Sequence, residues 1–161
     1  MAKASTADKE DGISVICRNR RAAHEYELIE RLECGLMLCG TEVKSLRDGV
    51  AKLEDAYAKL ENNEVWLIGC EIPEYGMGTH ANHKPKRPRK LLLHRREIAT
   101  FAGKATQRGF TLVPLRLYFK GGLAKVEIAV ARGKQEHDKR QTEKKREAQI
   151  QIKQAMSRKA R

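Results

Sequence analysis

Residues 110–131 read FTLVPLRLYFKGGLAKVEIAVA, and this stretch decides the fold. Two apolar-rich runs, 110–120 and 123–131, flank Gly121-Gly122, the signature of a β-hairpin closed by a two-residue turn. In the second run Val126, Ile128 and Val130 alternate with Lys125, Glu127 and Ala129, as a half-buried strand requires. Pro114 cannot donate to a ladder, so the first run has an edge or a bulge there.

Working outward, residues 26–38 read as extended structure, with Tyr26, Leu28, Leu32, Leu36 and Leu38 interrupted by Glu27, Glu30 and Glu33 and broken at Gly35. Thr41 is a suitable N-cap for a short helix carrying Val43 and Leu46 on one side, and Gly49 is placed to stop it. Runs 55–61 and 64–72 form a second hairpin, because Asn62-Asn63 between them tolerates positive φ. Residues 73–89 hold three of the four prolines and no apolar period, which predicts a long functional or mobile loop. Lys90-Leu91-Leu92-Leu93 can enter a sheet, and 94–106 reads as a helix with Ile98, Phe101, Ala102 and Ala105 on one face. Six or seven short strands interrupted by helices predict a mainly β chain, an OB-like small β-barrel with two or three short helices, rather than a sandwich.

The chain has 161 residues with 33 Lys+Arg against 21 Asp+Glu, a net charge of +12. The charge is concentrated: residues 84–96 carry seven cations and no acid, and 132–161 carry eleven cations against four acids. Neighbouring cations release counterions together on a polyanion, so the pattern favours nucleic acid over a solvated surface or an anionic membrane. Residues 132–161 have few large apolar groups and cannot offset their ordering entropy, which predicts disorder in isolation. They are rich in helix formers, so helix on a partner is expected, about 39 Å long if 136–161 is helical throughout. The expected organisation is a disordered N-terminus at 1–12, a barrel at 13–131 and a basic tail at 132–161.

Several classes are disfavoured. No stretch approaches the roughly 20 apolar residues of a membrane span, and residues 1–11 lack the apolar core of a secretory leader. Cys17, Cys34, Cys39 and Cys70 form no C-x-x-C pair, so reduced and mostly buried thiols are expected in place of a zinc site with His80 or His83. Phosphate-loop, dinucleotide, nucleophile-elbow and zinc-protease motifs do not occur, and no enzyme and no cofactor are expected.

The candidate contacts each have a bland alternative. Asn19-Arg20-Arg21-Ala22 offers groups for RNA phosphates and bases, or is a solvated turn. Glu33 accepts from base amino groups, or is an edge carboxylate. The cations of 83–93 neutralise phosphates and an exposed leucine packs on an unstacked base, or all three leucines are core. His137-Asp138-Lys139-Arg140 stacks and bridges phosphates, or belongs to a generic charged tail.

Taken in order, Asn19-Arg20-Arg21-Ala22 with Tyr26, the run GTEVKSLR at 40–47, NHKPKRPRKLLL at 82–93, LRLYFK at 115–120, and Gly133-Lys134 with His137-Asp138-Lys139-Arg140 resemble the SmpB family of bacterial SsrA-binding proteins. Lys52, Gln135-Glu136 and Ala155 depart from the family pattern. The resemblance implies an OB-type barrel that binds the tRNA-like domain of tmRNA and serves trans-translation on stalled ribosomes. It implies tmRNA contacts at Asn19, Arg20, Glu33, Lys90, Leu92, Arg132 and Lys134, and a ribosome-engaging tail at His137, Asp138, Lys139, Arg140 and Met156. The implied partners are tmRNA, the small-subunit decoding centre and mRNA channel of the ribosome, and elongation factor Tu indirectly through charged tmRNA. A cytoplasmic location follows, and a ribosomal-protein-like structural RNA module is the alternative.

Overall fold

The 110–131 hairpin closes the sheet of the barrel. The structure is a computed structural model that describes residues 12–78, 82–105, 109–135, 147–152 and 156. Its strands are β1 (Ile13–Arg18), β2 (Tyr26–Leu36), β3 (Tyr57–Glu61), β4 (Glu64–Ile68), β5 (Arg89–Leu92), β6 (Phe110–Lys120) and β7 (Leu123–Gly133). They follow the order β1-β6-β3-β4-β5-β2-β7, and β7 pairs again with β6. Six antiparallel strands thus form a closed ring, with β1 sharing an edge of β6 with β3. Closure removes the exposed edges that an open sheet would present.

Gly121 and Gly122, both at positive φ, close the β6–β7 hairpin, and Asn62 and Asn63 do the same between β3 and β4. The bulge expected at Pro114 is present: Pro114 faces Ile128 and Arg116 faces Glu127, leaving Leu115 as the extra residue. A second bulge in β2 leaves Ile29 unpaired between Leu28, opposite Ala131, and Glu30, opposite Val130. That extra residue switches the buried face of β2. Before it, Tyr26 and Leu28 pack with Ala22, Val113 and Ala131 in a small outer cluster. Beyond it, Leu32, Cys34 and Leu36 join the barrel core around Leu67, Leu91, Leu117 and Ile128.

The helices are α1 (Ala22–Glu25), α2 (Gly40–Arg47) and α3 (Arg95–Ala105). Phe101 of α3 is buried in the core, and His94 starts this helix with its N–H donating to Glu97. The N-cap of α2 is Cys39, not Thr41, because Glu42 reaches back to the Cys39 N–H (2.7 Å) in a capping box. The Thr41 hydroxyl instead meets His83 Nδ1 at 2.9 Å.

Other expectations shift. A strand, β1, precedes the Asn19 turn, and β2 runs through Gly35 unbroken. β4 stops at Ile68, and the segment after it is pinned where it is described: the Ile72 N–H donates to the Pro85 carbonyl and Ser45 Oγ to the Pro73 carbonyl. β7 continues to Gly133, so Arg132 belongs to the barrel rather than to a tail. Residues 147–152 are helical, with Ile150 and Ile152 exposed, as is Met156. Residues 1–11, 136–146, 153–155 and 157–161 lie outside the described residues, and so do the expectations of disorder made for them.

Candidate nucleic-acid interface

β2 carries one group of predicted contact residues at each end. Tyr26 pairs with Gly133 at one end and Gly35 with Leu92 and Lys125 at the other. Nine residue steps at about 3.3 Å separate the ends by about 30 Å.

Glu33 lies near the Gly35 end, directed outward. Tyr118 Oη donates to its Oε2 (2.5 Å), Lys120 Nζ lies 3.1 Å from the same oxygen, and Lys125 Nζ is 3.8 Å from Oε1. The Tyr118 hydrogen bond, aided by Lys120 and Lys125, outweighs partial burial and holds the carboxyl below the usual range. Glu33 is therefore an ionised acceptor in a cationic frame. It lines a shallow groove of about 600 Å³ with Leu32, Leu36, Leu92, Leu93, Leu123 and Lys125.

Leu92 is 51% exposed while its neighbour Leu91 is 2% exposed, so the strand alternation of β5 sends one leucine to the core and presents the other outside. A Cβ at position 35 would lie 3.1 Å from Leu92 Cβ, and the glycine there lets the leucine settle over β2. Lys90, paired with Glu64, lines an adjoining groove of about 850 Å³ that shares Leu92 and Leu93 with the first. Glu33, Leu92 and Lys90 thus come together on one surface. Its apolar patch, carboxylate acceptor and cations suit an unstacked base and its phosphates.

At the other end of β2, Asn19 is buried, its amide nitrogen donating to the Leu53 and Pro114 carbonyls (both 3.2 Å) and its Oδ1 accepting from the Ala22 N–H. Its N–H donates to Leu115 O, the carbonyl of the bulge residue (2.7 Å). Asn19 accordingly shapes the turn that presents Arg20 and Arg21, both exposed. Arg132 is exposed on β7, and Lys134 Nζ donates to the Ala23 carbonyl (2.9 Å), fastening the end of the barrel to α1. Of the tail residues, Met156 is exposed, while His137, Asp138, Lys139 and Arg140 lie outside the described residues.

The basic run at 84–96 is divided by the fold. Lys84 and Lys86 are exposed, whereas Arg89 is 0% exposed and donates to Glu42, Cys70 O, Arg87 O and Pro85 O. Arg87 makes a two-bond contact to the same buried carboxylate (2.7 and 2.5 Å). These two arginines serve the interior, contrary to the reading of the whole run as phosphate-binding. His83 is buried with both ring nitrogens in hydrogen-bond contact, to Thr41 and to the Ile72 carbonyl. Residue-by-residue reading missed Tyr118, Lys120 and Lys125 as companions of Glu33, since the pairing of β2 with β7 joins segments about 90 residues apart.

A closed antiparallel barrel with a cation-framed, partly apolar groove on its outer face defines a small-barrel protein of the kind that carries RNA. The chain belongs to the SmpB family, whose model, described as SmpB protein, matches residues 16–158. It is 54% identical over 158 residues to the SsrA-binding protein of Thermobifida fusca, covering 98% of this chain and 99% of that one. Identity is 56% over 144 residues with the SsrA-binding protein of Corynebacterium jeikeium, covering 89% and 78% respectively. A solved structure described as "tmRNA-SmpB: a journey to the center of the bacterial ribosome" matches with a TM-score of 0.64 and 47% identity, over 74% of this chain and 85% of that chain.

Proposed function

We propose that this protein binds the tRNA-like domain of tmRNA through its barrel and delivers it to stalled ribosomes for trans-translation. The observation that carries this reading is the convergence of Glu33, Leu92 and Lys90 on one outer surface, in a member of the SmpB family. In the complex, Glu33 accepts from a base edge, Leu92 packs on an unstacked base, and Lys90 neutralises phosphate. Arg20, Arg132 and Lys134 supply a second set of cations at the far end of β2, and Asn19 acts by positioning their turn. The basic tail, with His137, Asp138, Lys139, Arg140 and Met156, enters the decoding centre and the empty mRNA channel, where the helix already present at residues 147–152 is extended. Elongation factor Tu joins indirectly, through charged tmRNA. The protein acts in the cytoplasm as a binding protein and not as an enzyme.

Competition tests this reading against a general structural RNA module. With labelled tmRNA bound at near-physiological salt, unlabelled tmRNA should displace it at far lower concentration than bulk tRNA or ribosomal RNA fragments. Equal displacement by all three would refute the assignment.

A further inference from the structure

Glu33 stands directly opposite Glu127 in the β2–β7 ladder, a like-charge cross-strand pair that opposes pairing unless each carboxylate finds separate partners. The outer face separates them. Glu127, nearly buried, is held by Arg116 and lies 3.7 Å from Arg31. Glu33 is served from β6, across the intervening β7, by the Tyr118 hydroxyl on Oε2. Tyr118 is 1% exposed, and the Arg116 guanidinium lies over its ring, 5.1 Å from the centroid, so the ring is buried beneath a cation. By contrast, among the described residues Glu33 Oε1 meets two looser cationic neighbours, Lys120 at 3.4 Å and Lys125 at 3.8 Å.

We propose that Tyr118 is a positioning residue for RNA recognition: its hydroxyl fixes Oε2 of Glu33 and leaves Oε1 to accept from the exocyclic amino group of an unstacked base lying against Leu92. The assignment rests on the reading of the Glu33 groove as a tmRNA contact. Burial and the bond to Glu33 push the phenol well above its ordinary range, so Tyr118 remains a donor wherever Glu33 is ionised. The Tyr118 hydroxyl, Lys120 of β6 and Lys125 of β7 lower the titration of Glu33; the other charged or titratable groups on the elements packed around it are Arg116 of β6, Glu127 of β7, Arg31 of β2, and His94 and Glu97 at the groove's α3 side.

The test uses the full chain as wild type, Tyr118→Phe, Glu33→Gln and the double variant. Affinity for tmRNA is measured between pH 5 and 9, and the Glu33 carboxyl of wild type and Tyr118→Phe is titrated by carbon-detected NMR. Tyr118→Phe keeps the ring under Arg116 and removes only the donor. It should raise the Glu33 titration midpoint, weaken tmRNA binding by about tenfold at pH 7, and steepen the loss of affinity toward pH 5. The double variant should bind no worse than Glu33→Gln, because both changes remove one arrangement. Wild-type binding by Tyr118→Phe beside weak binding by Glu33→Gln would overturn the positioning role alone, as would additive losses or an unmoved midpoint. Wild-type binding by Glu33→Gln would overturn the groove contact itself, and the positioning role with it.

Discussion

Replacing Glu42 by glutamine should unfold this protein more readily than any surface substitution. Glu42 is wholly buried and accepts four hydrogen bonds: from Arg87 Nε (2.7 Å), Arg87 Nη2 (2.5 Å), Arg89 Nε (2.9 Å) and the Cys39 N–H (2.7 Å). Glutamine keeps the shape but turns an NH₂ toward donors, and it leaves the fully buried Arg89 without its counter-charge. Breaking a buried pair in this way costs about 3–5 kcal/mol. At roughly 3–5 °C per kcal/mol for a barrel of this size, the Tm should fall by about 9–25 °C. Glu71→Gln is the control, since Glu71 meets Lys52 at 3.6 Å and Lys86 at 3.8 Å on the surface, where such pairs contribute about 0–1 kcal/mol.

Acid provides a second readout of the same cluster. Burial pulls the Glu42 carboxyl up, but the Arg87 and Cys39 hydrogen bonds and the two guanidinium charges outweigh it, so the folded value lies below the ordinary one. A lowered folded value contributes stability that is complete above the unfolded value, about 4.3, and is lost as pH falls through the folded one. The gap between wild type and Glu42→Gln should therefore shrink as pH drops below about 4.5. Urea unfolding from pH 7 down to pH 3 measures both effects. A loss below about 1 kcal/mol at pH 7, equal to the Glu71 control, would refute the reasoning.

Three more outcomes are expected. Gly69→Ala should cost about 1–3 kcal/mol, because φ is +77° and the new Cβ would lie 2.7 Å from the Asp55 carbonyl oxygen; thermal melts beside Gly103→Ala, an open helical site where alanine should stabilise, check this. Burial pushes the Cys17 and Cys34 thiols up to about 12 and the Cys70 thiol to about 11, whereas Cys39 is exposed. A thiol reagent at pH 8 should label Cys39 alone in the native protein and all four cysteines in denaturant, as mass spectrometry would show. Leu92→Ala should leave stability within about 0.5 kcal/mol yet weaken tmRNA binding by about tenfold or more, read by paired melting and binding measurements.

Much of the barrel was legible because its hairpins are local. Asn62-Asn63 and Gly121-Gly122 announce their turns through backbone conformations that few other residues accept, and Pro114 announces the bulge through its missing donor. β1 was not legible, since ISVICR carries little alternation and takes its place only by lying on β6. The helix start at Cys39 was missed because its capping depends on Glu42, a residue that also serves two arginines more than 40 positions away. The same non-locality hid the division of the basic run. Arg87 and Arg89 look like Lys84 and Lys86 in sequence, and only the buried carboxylate draws them inward. The pattern offered Glu33 as an acceptor or an edge carboxylate and left open whether any of Leu91, Leu92 and Leu93 is exposed, and family resemblance singled out Glu33 and Leu92; the fold adds that both line one groove and that Tyr118, Lys120 and Lys125 surround the carboxylate.

In the proposed function barrel and tail do different work, the barrel holding tmRNA and the tail acting on the ribosome. Since β7 runs to Gly133 and Lys134 is fastened to Ala23 and Glu25, the cut belongs after Gln135. The most direct measurement is tmRNA affinity and peptide tagging on stalled ribosomes, for the full chain and for residues 1–135 side by side. The shortened chain should keep most of its tmRNA affinity and lose tagging. Parallel loss of both, or tagging that survives the cut, would contradict it.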